Sequence, residues 1–285
     1  MTRRRFPVGK TLLYVFMSLW ALTTIYPFIW VILNSFKPRG LIRSDTFSLP
    51  IGDKFTLENY VTAFKRVDIG TAYVNSIVIS GAVTVVVMVL AGLAAYAMVR
   101  YSFRLRGFLH SMIIASMMFP VFSTIIPVFH MESSWGIVNT GSIWLTRLSV
   151  VLPQIAGNLS FAIIVLMGFI RSLPVDLEEA AYLEGYNVYQ IFFRIIMPLA
   201  KPSFATVGIF TFLWSYNDLF LQMFFLRSKK FFTITRLLNE ISSQAGTNYG
   251  LMVAAVVMVV IPVLVVYIFL QNYIIKGMTA GAVKG

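Results

Sequence analysis

Six stretches of this 285-residue chain stay apolar for the length of a bilayer crossing: roughly 12–34, 72–98, 108–130, 148–170, 202–225 and 250–272. A hydrocarbon core about 30 Å thick takes about 20 helical residues. In lipid, a helix satisfies its backbone polar groups within the segment. The runs therefore predict an all-α polytopic membrane protein with six transmembrane helices. Composition agrees. The chain is 58% hydrophobic and 12% charged, where a soluble domain is about 45–50% apolar and about 25% charged. The fourth run holds Pro153, Gln154, Gly157, Asn158 and Ser160. Such residues are tolerated where neighbouring helices satisfy the freed groups, which places this helix inside a bundle.

The formal net charge is +12, and the basic residues sit in loops between apolar runs. That pattern reads as topology and contact with anionic lipid. No basic face interleaved with stacking aromatics is present, so nucleic acid is excluded as a partner. The chain has no Cys, so a disulfide, a thiolate metal site and a cysteine nucleophile are all impossible. The start, "MTRRRFPVGKTLLYVFMSLWALTTIYPFIWVILNSF", has an apolar stretch longer than the core of a cleavable signal peptide. It reads as a retained first span. "GKT" at 9–11 resembles the end of a phosphate-binding loop, but Arg4 stands where that loop needs Gly. The chain does not bind ATP by that motif.

Six spans put both termini on one side. With the termini inside, 12 of the 23 Lys and Arg fall inside, and they are densest in the N-terminal tail and in "RYSFRLRG" at 100–107. The loop carrying Arg227, Lys229, Lys230 and Arg236 argues the other way. Weighting short segments near the spans favours cytoplasmic termini. The first loop carries "TLENYVTAF" at 56–64, which reads as a short amphipathic helix capped by Thr56. Trp135 and Trp144 in the third loop suit a membrane interface.

One segment departs from this pattern. In "DLEEAAYLEGYNVYQIFFRIIMP", residues 176–198, Asp176, Glu178, Glu179 and Glu184 supply four of the chain's 11 acids. Pro174 disfavours continuation of the fourth span. Asp176 with Glu179 resembles a capping box, and first-turn acids suit the helix dipole. Gly185 stands where a left-handed C-cap is wanted. Asn187 with Gln190 predicts a second capped helix, closed by Pro198 and Pro202. The segment reads as helix, Gly turn, helix, outside the bilayer. Ala180, Ala181 and Leu183 offer a small apolar face beside carboxylates that can pair with a partner's Arg or Lys.

Here the residues match a known pattern. Glu179-Ala180-Ala181, three residues, Gly185, nine residues, Ile195, one residue and then Met197-Pro198 resembles the EAA signature of bacterial ABC importer permeases. Met197 replaces the usual Leu. "RSLPVDLEEAA" is similar to the approach seen in the carbohydrate-uptake branch, and "WSYNDLFL" at 214–221 resembles its Trp–Asn–acid segment. The last 37 residues, from Tyr249, resemble the end of the branch that includes the smaller maltose-type permease subunit.

The resemblance implies one permease domain over 1–285, with 172–198 a cytoplasmic coupling loop that sits in a groove of an ATPase. Glu179 would anchor it, Gly185 would turn it, Ala180 and Ala181 would pack closely, and Ile195 and Pro198 would complete the motif. The implied partners are a second permease subunit, two cytoplasmic ATPase subunits and an extracytoplasmic sugar-binding protein. Membrane lipid surrounds the spans. ATP and Mg would be bound by the ATPase, with no cofactor in this chain, and the site of action would be the bacterial cytoplasmic (inner) membrane. The tail at 276–285 resembles family tails that reach toward the ATPase pair.

Asp218 is an ionisable group within a span, which by default marks function. Tyr216, Asn217 and Ser215 adjoin it, and Gln222 lies one turn on. These residues, with Asn158, Ser160 and Gln154 on the fourth span, fit either a sugar path or gate, or packing between helices. Asn75 and Ser76 carry the same two readings. Relatives of the maltose type hold their sugar mainly in the partner permease, which favours packing. His110 and His130 form no metal cluster and no Ser/His/Asp set. The rival reading, an ion-coupled secondary carrier, wants paired acids or broken helices in matching halves. Asp218 is a single acid. A structural scaffold would leave the doubly capped loop unexplained, and an intramembrane enzyme lacks nucleophile and base.

Overall fold

The structure, a computed structural model, describes residues 8–66, 68–244 and 248–282, and every regular element among them is helical. The charged N-terminal tail and the last three residues of the C-terminal tail lie outside the described residues. The chain forms two compact units, Met1–Asp68 with Leu238–Val263, and Ile69–Leu237 with Leu264–Gly285.

In the first unit, α1 (Val8–Ser35) is apolar around its whole circumference, and no residue of its apolar window is buried. A helix apolar all round belongs in lipid or in a larger core. Two short helices follow, α2 (Arg39–Ser44) and α3 (Glu58–Arg66). Thr56 Oγ1 accepts a 3.1 Å bond from the Glu58 amide, as a cap for α3. Asn59 ties α3 back to the end of α1 by donating to the carbonyls of Ser35, at 2.9 Å, and Lys37, at 2.8 Å. Lys37 is fully buried and donates in turn to the carbonyls of Asp45 and Thr46, both at 2.9 Å. A Cβ at Gly250 would sit 2.3 Å from Asn59 Oδ1, so the close approach there requires glycine.

The second unit is built on α4 (Ile69–Arg100), which packs against α7 (Ile143–Ile170) and α10 (Lys201–Asn217). Its buried stripe is Ala72, Ser76, Ile79, Val83, Val87, Ala91 and Ala95. Small residues at helical spacing let backbones approach, the usual device where lipid removes the hydrophobic drive to pack. Gly92 extends the stripe. A Cβ there would lie 2.8 Å from the Phe204 ring and 2.9 Å from that of Phe192.

The third apolar run, expected to be continuous over 108–130, is two helices, α5 (Arg106–Ser116) and α6 (Val121–Ser134), bent by 104°. Pro120 precedes α6 in an extended conformation, φ −68° and ψ 121°. It lacks the amide that would continue α5, and it biases Phe119 away from the helical region. The fifth run, expected over 202–225, is also divided. α10 ends at Asn217, and α11 (Leu219–Phe225) restarts after Asp218, whose ψ is 86°. The acidic segment forms α8 (Asp176–Leu183) and α9 (Val188–Leu199), and α9 meets α10 at 82°. α12 (Ile234–Gln244) and α13 (Tyr249–Ala282) complete the chain. Among the described residues, α1, α4 and α7 are each long and apolar enough to cross a membrane, and the bent pairs α5/α6 and α9/α10 raise the count to five.

Candidate functional site

Two places concentrate polar groups that the bilayer argument does not require. The first is the loop formed by α8 and α9.

α8 ends in a complete left-handed cap. Gly185 has φ +87°, its amide donates to the Tyr182 carbonyl at 3.0 Å, and the Tyr186 amide donates to that of Ala181 at 3.0 Å. This is the Schellman arrangement, and glycine enters it without steric penalty. α9 opens with the expected capping box. The Asn187 side chain accepts from the Gln190 amide at 2.9 Å, and the Gln190 side chain accepts from the Asn187 amide at 2.8 Å. The expected box at Asp176 does not form. The N-cap is Val175, already in helical conformation and with no side-chain bond, so Asp176, Glu178 and Glu179 lie inside the first turn. Five residues of α9, Phe192–Ile196, adopt the wider π winding.

The acids of α8 divide by environment. Glu179 and Ala180 are exposed, whereas Glu178 and Ala181 are buried. Glu178 is gripped by the end of α4. Arg100 Nε donates to its Oε1 at 2.5 Å, the Tyr96 hydroxyl donates to its Oε2 at 2.8 Å, and Arg100 Nη2 also donates to the Leu173 carbonyl at 2.9 Å. The Tyr101 and Tyr182 hydroxyls meet at 2.9 Å beside it. That hydrogen bond, with some desolvation, pushes the Tyr182 hydroxyl above its ordinary value. Phe192 wedges beneath, 5.6 Å from the Tyr96 ring and against Gly92. Of the other motif residues, Ile195 is half-buried, and Gly185 and Pro198 are exposed. The outward surface is apolar for a loop rich in acids. Leu183 is 90% exposed, with Leu177, Tyr182 and Tyr189 also uncovered. No signal in the sequence marked this clamp, because Arg100 lies 78 positions away from Glu178.

The second place is a cavity of about 470 Å³ among α6, α7, α10 and α11. Gln154, Asn158, Ser215, Asn217 and Asp218 line it together with the rings of Phe122, Phe161, Trp214 and Phe220. Asp218 caps α11, accepting from the Leu221 amide at 3.2 Å, and its other oxygen accepts from Gln154 Nε2 at 3.1 Å. Ser215 donates to Gln154 Oε1 at 2.6 Å. Tyr216 and Gln222 turn elsewhere. Tyr216 stacks on Phe212 at 5.8 Å, and Gln222 bonds to Thr233, to Thr235 at 2.8 Å and to the Ser215 carbonyl at 3.1 Å. Asn75 and Ser76 staple the segment after α11, through the Phe232 carbonyl at 3.1 Å and the Ile234 amide at 2.9 Å. Ser160 bonds to Ser116.

A helical membrane protein carrying a clamped polar knob between two apolar helices is the class that these elements define. The match to known proteins narrows it. Residues 88–280 fit the family described as binding-protein-dependent transport system inner membrane component, and the chain belongs to that family. It is 33% identical to the diacetylchitobiose uptake system permease protein NgcG of Streptomyces coelicolor, covering 95% of this chain and 88% of that one. It is 32% identical to the trehalose transport system permease protein SugB of Mycobacterium tuberculosis, covering 92% of this chain and 93% of that one. The fold superimposes with a TM-score of 0.81 on a bacterial ABC transporter involved in the import of the acidic polysaccharide alginate, at 24% identity, covering 96% of this chain and 99% of that one.

Proposed function

We propose that this chain is the permease subunit of a bacterial ABC importer for a sugar or oligosaccharide. It would supply half of the translocation pathway in the cytoplasmic membrane. The substrate class is supported by relatives named for diacetylchitobiose and trehalose, among others. The proposed topology has six spans, with α13 the last and both termini cytoplasmic. A second permease subunit, two ATPases that bind ATP and Mg, and an extracytoplasmic sugar-binding protein complete the machine. Catalysis of ATP hydrolysis belongs to the partner, and this chain transmits it.

The observation that carries the coupling role is the construction of the 172–198 loop. Its inner face is fixed to α4 through Glu178 and Arg100, while its outer face leaves Leu183 90% exposed beside free carboxylates. A solvated connector needs neither feature. Glu179 is the carboxylate proposed to meet the ATPase, with Ala180 beside it. Gly185 sets the turn, and Ala181, Ile195 and Pro198 hold the loop's shape. A push on α8 passes directly into α4 as well as along α9 into α10. Asn158, Asn217 and Asp218 are proposed to line the sugar path, and Tyr216 and Gln222 to brace the break between α10 and α11 that shapes it.

Co-purification with the ATPase and ATP-driven uptake test the reading together. Glu179→Lys and Gly185→Val are expected to lose both while the chain remains inserted. Full association and uptake in both variants would return the loop to the status of a connector.

A further inference from the structure

The cavity beside Asp218 has a chemistry more specific than a path for any sugar. Asp218 is the one ionisable side chain among the described residues that line it. Each of its oxygens accepts a single bond, from Leu221 or from Gln154, and a carboxylate has about four acceptor sites. It therefore keeps spare capacity for hydroxyl donors. No Lys, Arg or His lines the cavity to balance an anionic guest. The lining also carries two pairs of packed aromatic rings, Phe161 with Trp214 at 4.8 Å and Phe122 with Phe220 at 4.9 Å. The volume, about 470 Å³, lies within the range of about 300–1,000 Å³ typical of small-molecule sites.

We propose that this cavity binds one neutral glycosyl unit, with its apolar ring face on Trp214 and its hydroxyls donating to Asp218, and that it excludes uronate units. Like charges in a confined, poorly hydrated space repel strongly, so the carboxylate acts as a charge filter within the permease itself. This inference rests on the sugar-importer reading above and deepens it.

The test uses the assembled permease–ATPase complex in detergent without its binding protein, so that selectivity belongs to the membrane part. Saturation-transfer NMR reads binding of two probe sets: a panel of neutral gluco-, galacto-, xylo- and N-acetylgluco-oligosaccharides, and alginate pentasaccharide. At least one neutral oligosaccharide is expected to receive saturation at its ring C–H protons, with alginate at least tenfold weaker. Trp214→Ala is expected to cut the neutral signal at least fivefold. Asp218→Asn keeps an oxygen for the Leu221 amide and is expected to bring alginate within threefold of the neutral sugar. Equal binding of alginate by the wild type, continued exclusion by Asp218→Asn, or no neutral binding at all would each overturn the filter. Uptake by the complete transporter separates the two levels. If a neutral sugar is imported without binding here, the cavity proposal alone fails. If no sugar is imported, the importer reading falls as well.

Discussion

At the scale of single residues, the ion pair between Arg100 and Glu178 is the most consequential contact. Its side chains are only 10% and 5% exposed. Removing one partner of a buried pair leaves an uncompensated charge and destabilises by about 3–5 kcal/mol, whereas replacing both with apolar residues is often neutral. Arg100→Met is therefore expected to lower the Tm in detergent markedly, and the double variant Arg100→Met/Glu178→Met to recover most of the loss. A double variant as unstable as the single one would show that the pair does not act as a unit. Gly92 makes a second prediction. With Phe204 and Phe192 under 3 Å from any added Cβ, Gly92→Val overpacks the joint of α4 with α9 and α10, and about 1–3 kcal/mol of destabilisation follows. A thermal melt unchanged from wild type would contradict it. Neither contact was visible in the sequence. Arg100 belongs to the basic loop at 100–107, and Gly92 lies within the apolar run at 72–98 with no local signal of its partners. Only the fold brings Glu178 to Arg100 from 78 positions away, and Phe192 and Phe204 to Gly92 from still farther along the chain.

At the scale of elements, what the sequence disclosed was local. The Gly185 cap and the Asn187–Gln190 box formed where expected, because each signal is complete within four or five residues. The divisions of the third and fifth apolar runs were less legible. Hydropathy continues across Pro120 and Asp218, so a window test passes over both breaks. Pro120, and the short polar pair Asn217-Asp218, were the available signals. The caps have measurable weight. Asn187→Ala removes the side-chain acceptor of the Gln190 amide, one arm of the box, at about 1 kcal/mol, and leaves the amide of residue 187 to donate to the Gln190 side chain. Faster amide exchange confined to α9 is the expected readout, and exchange unchanged there would show that packing of Phe192 and Ile196 holds the helix without its cap.

At the scale of the whole molecule, the absence of Cys makes topology directly measurable. A single cysteine at Leu183, which is 90% exposed, is expected to react with a membrane-impermeant maleimide only from the cytoplasmic side of sealed vesicles. One at Lys229 is expected to react only from the opposite side. Labelling of both from one side would refute the proposed arrangement of α9, α10 and α11. Six apolar runs were enough to name the class of molecule. Among the described residues the structure has three unbroken crossings, and broken helices account for two of the other runs that hydropathy counts, the third and the fifth.

The bareness of α1 also bears on how the protein is made. No residue of its apolar window is buried, so it can rest in lipid unaccompanied from the moment it leaves the translocation machinery. α7 cannot do so, because the buried Gln154 takes its partners from Ser215 of α10 and from Asp218, which are made later in synthesis. The chain thus emerges self-sufficient helix first and dependent helix later. Membrane insertion can begin before assembly, and the interval between α7 and α10 is the stage at which a chaperone or a waiting second subunit has the most to protect.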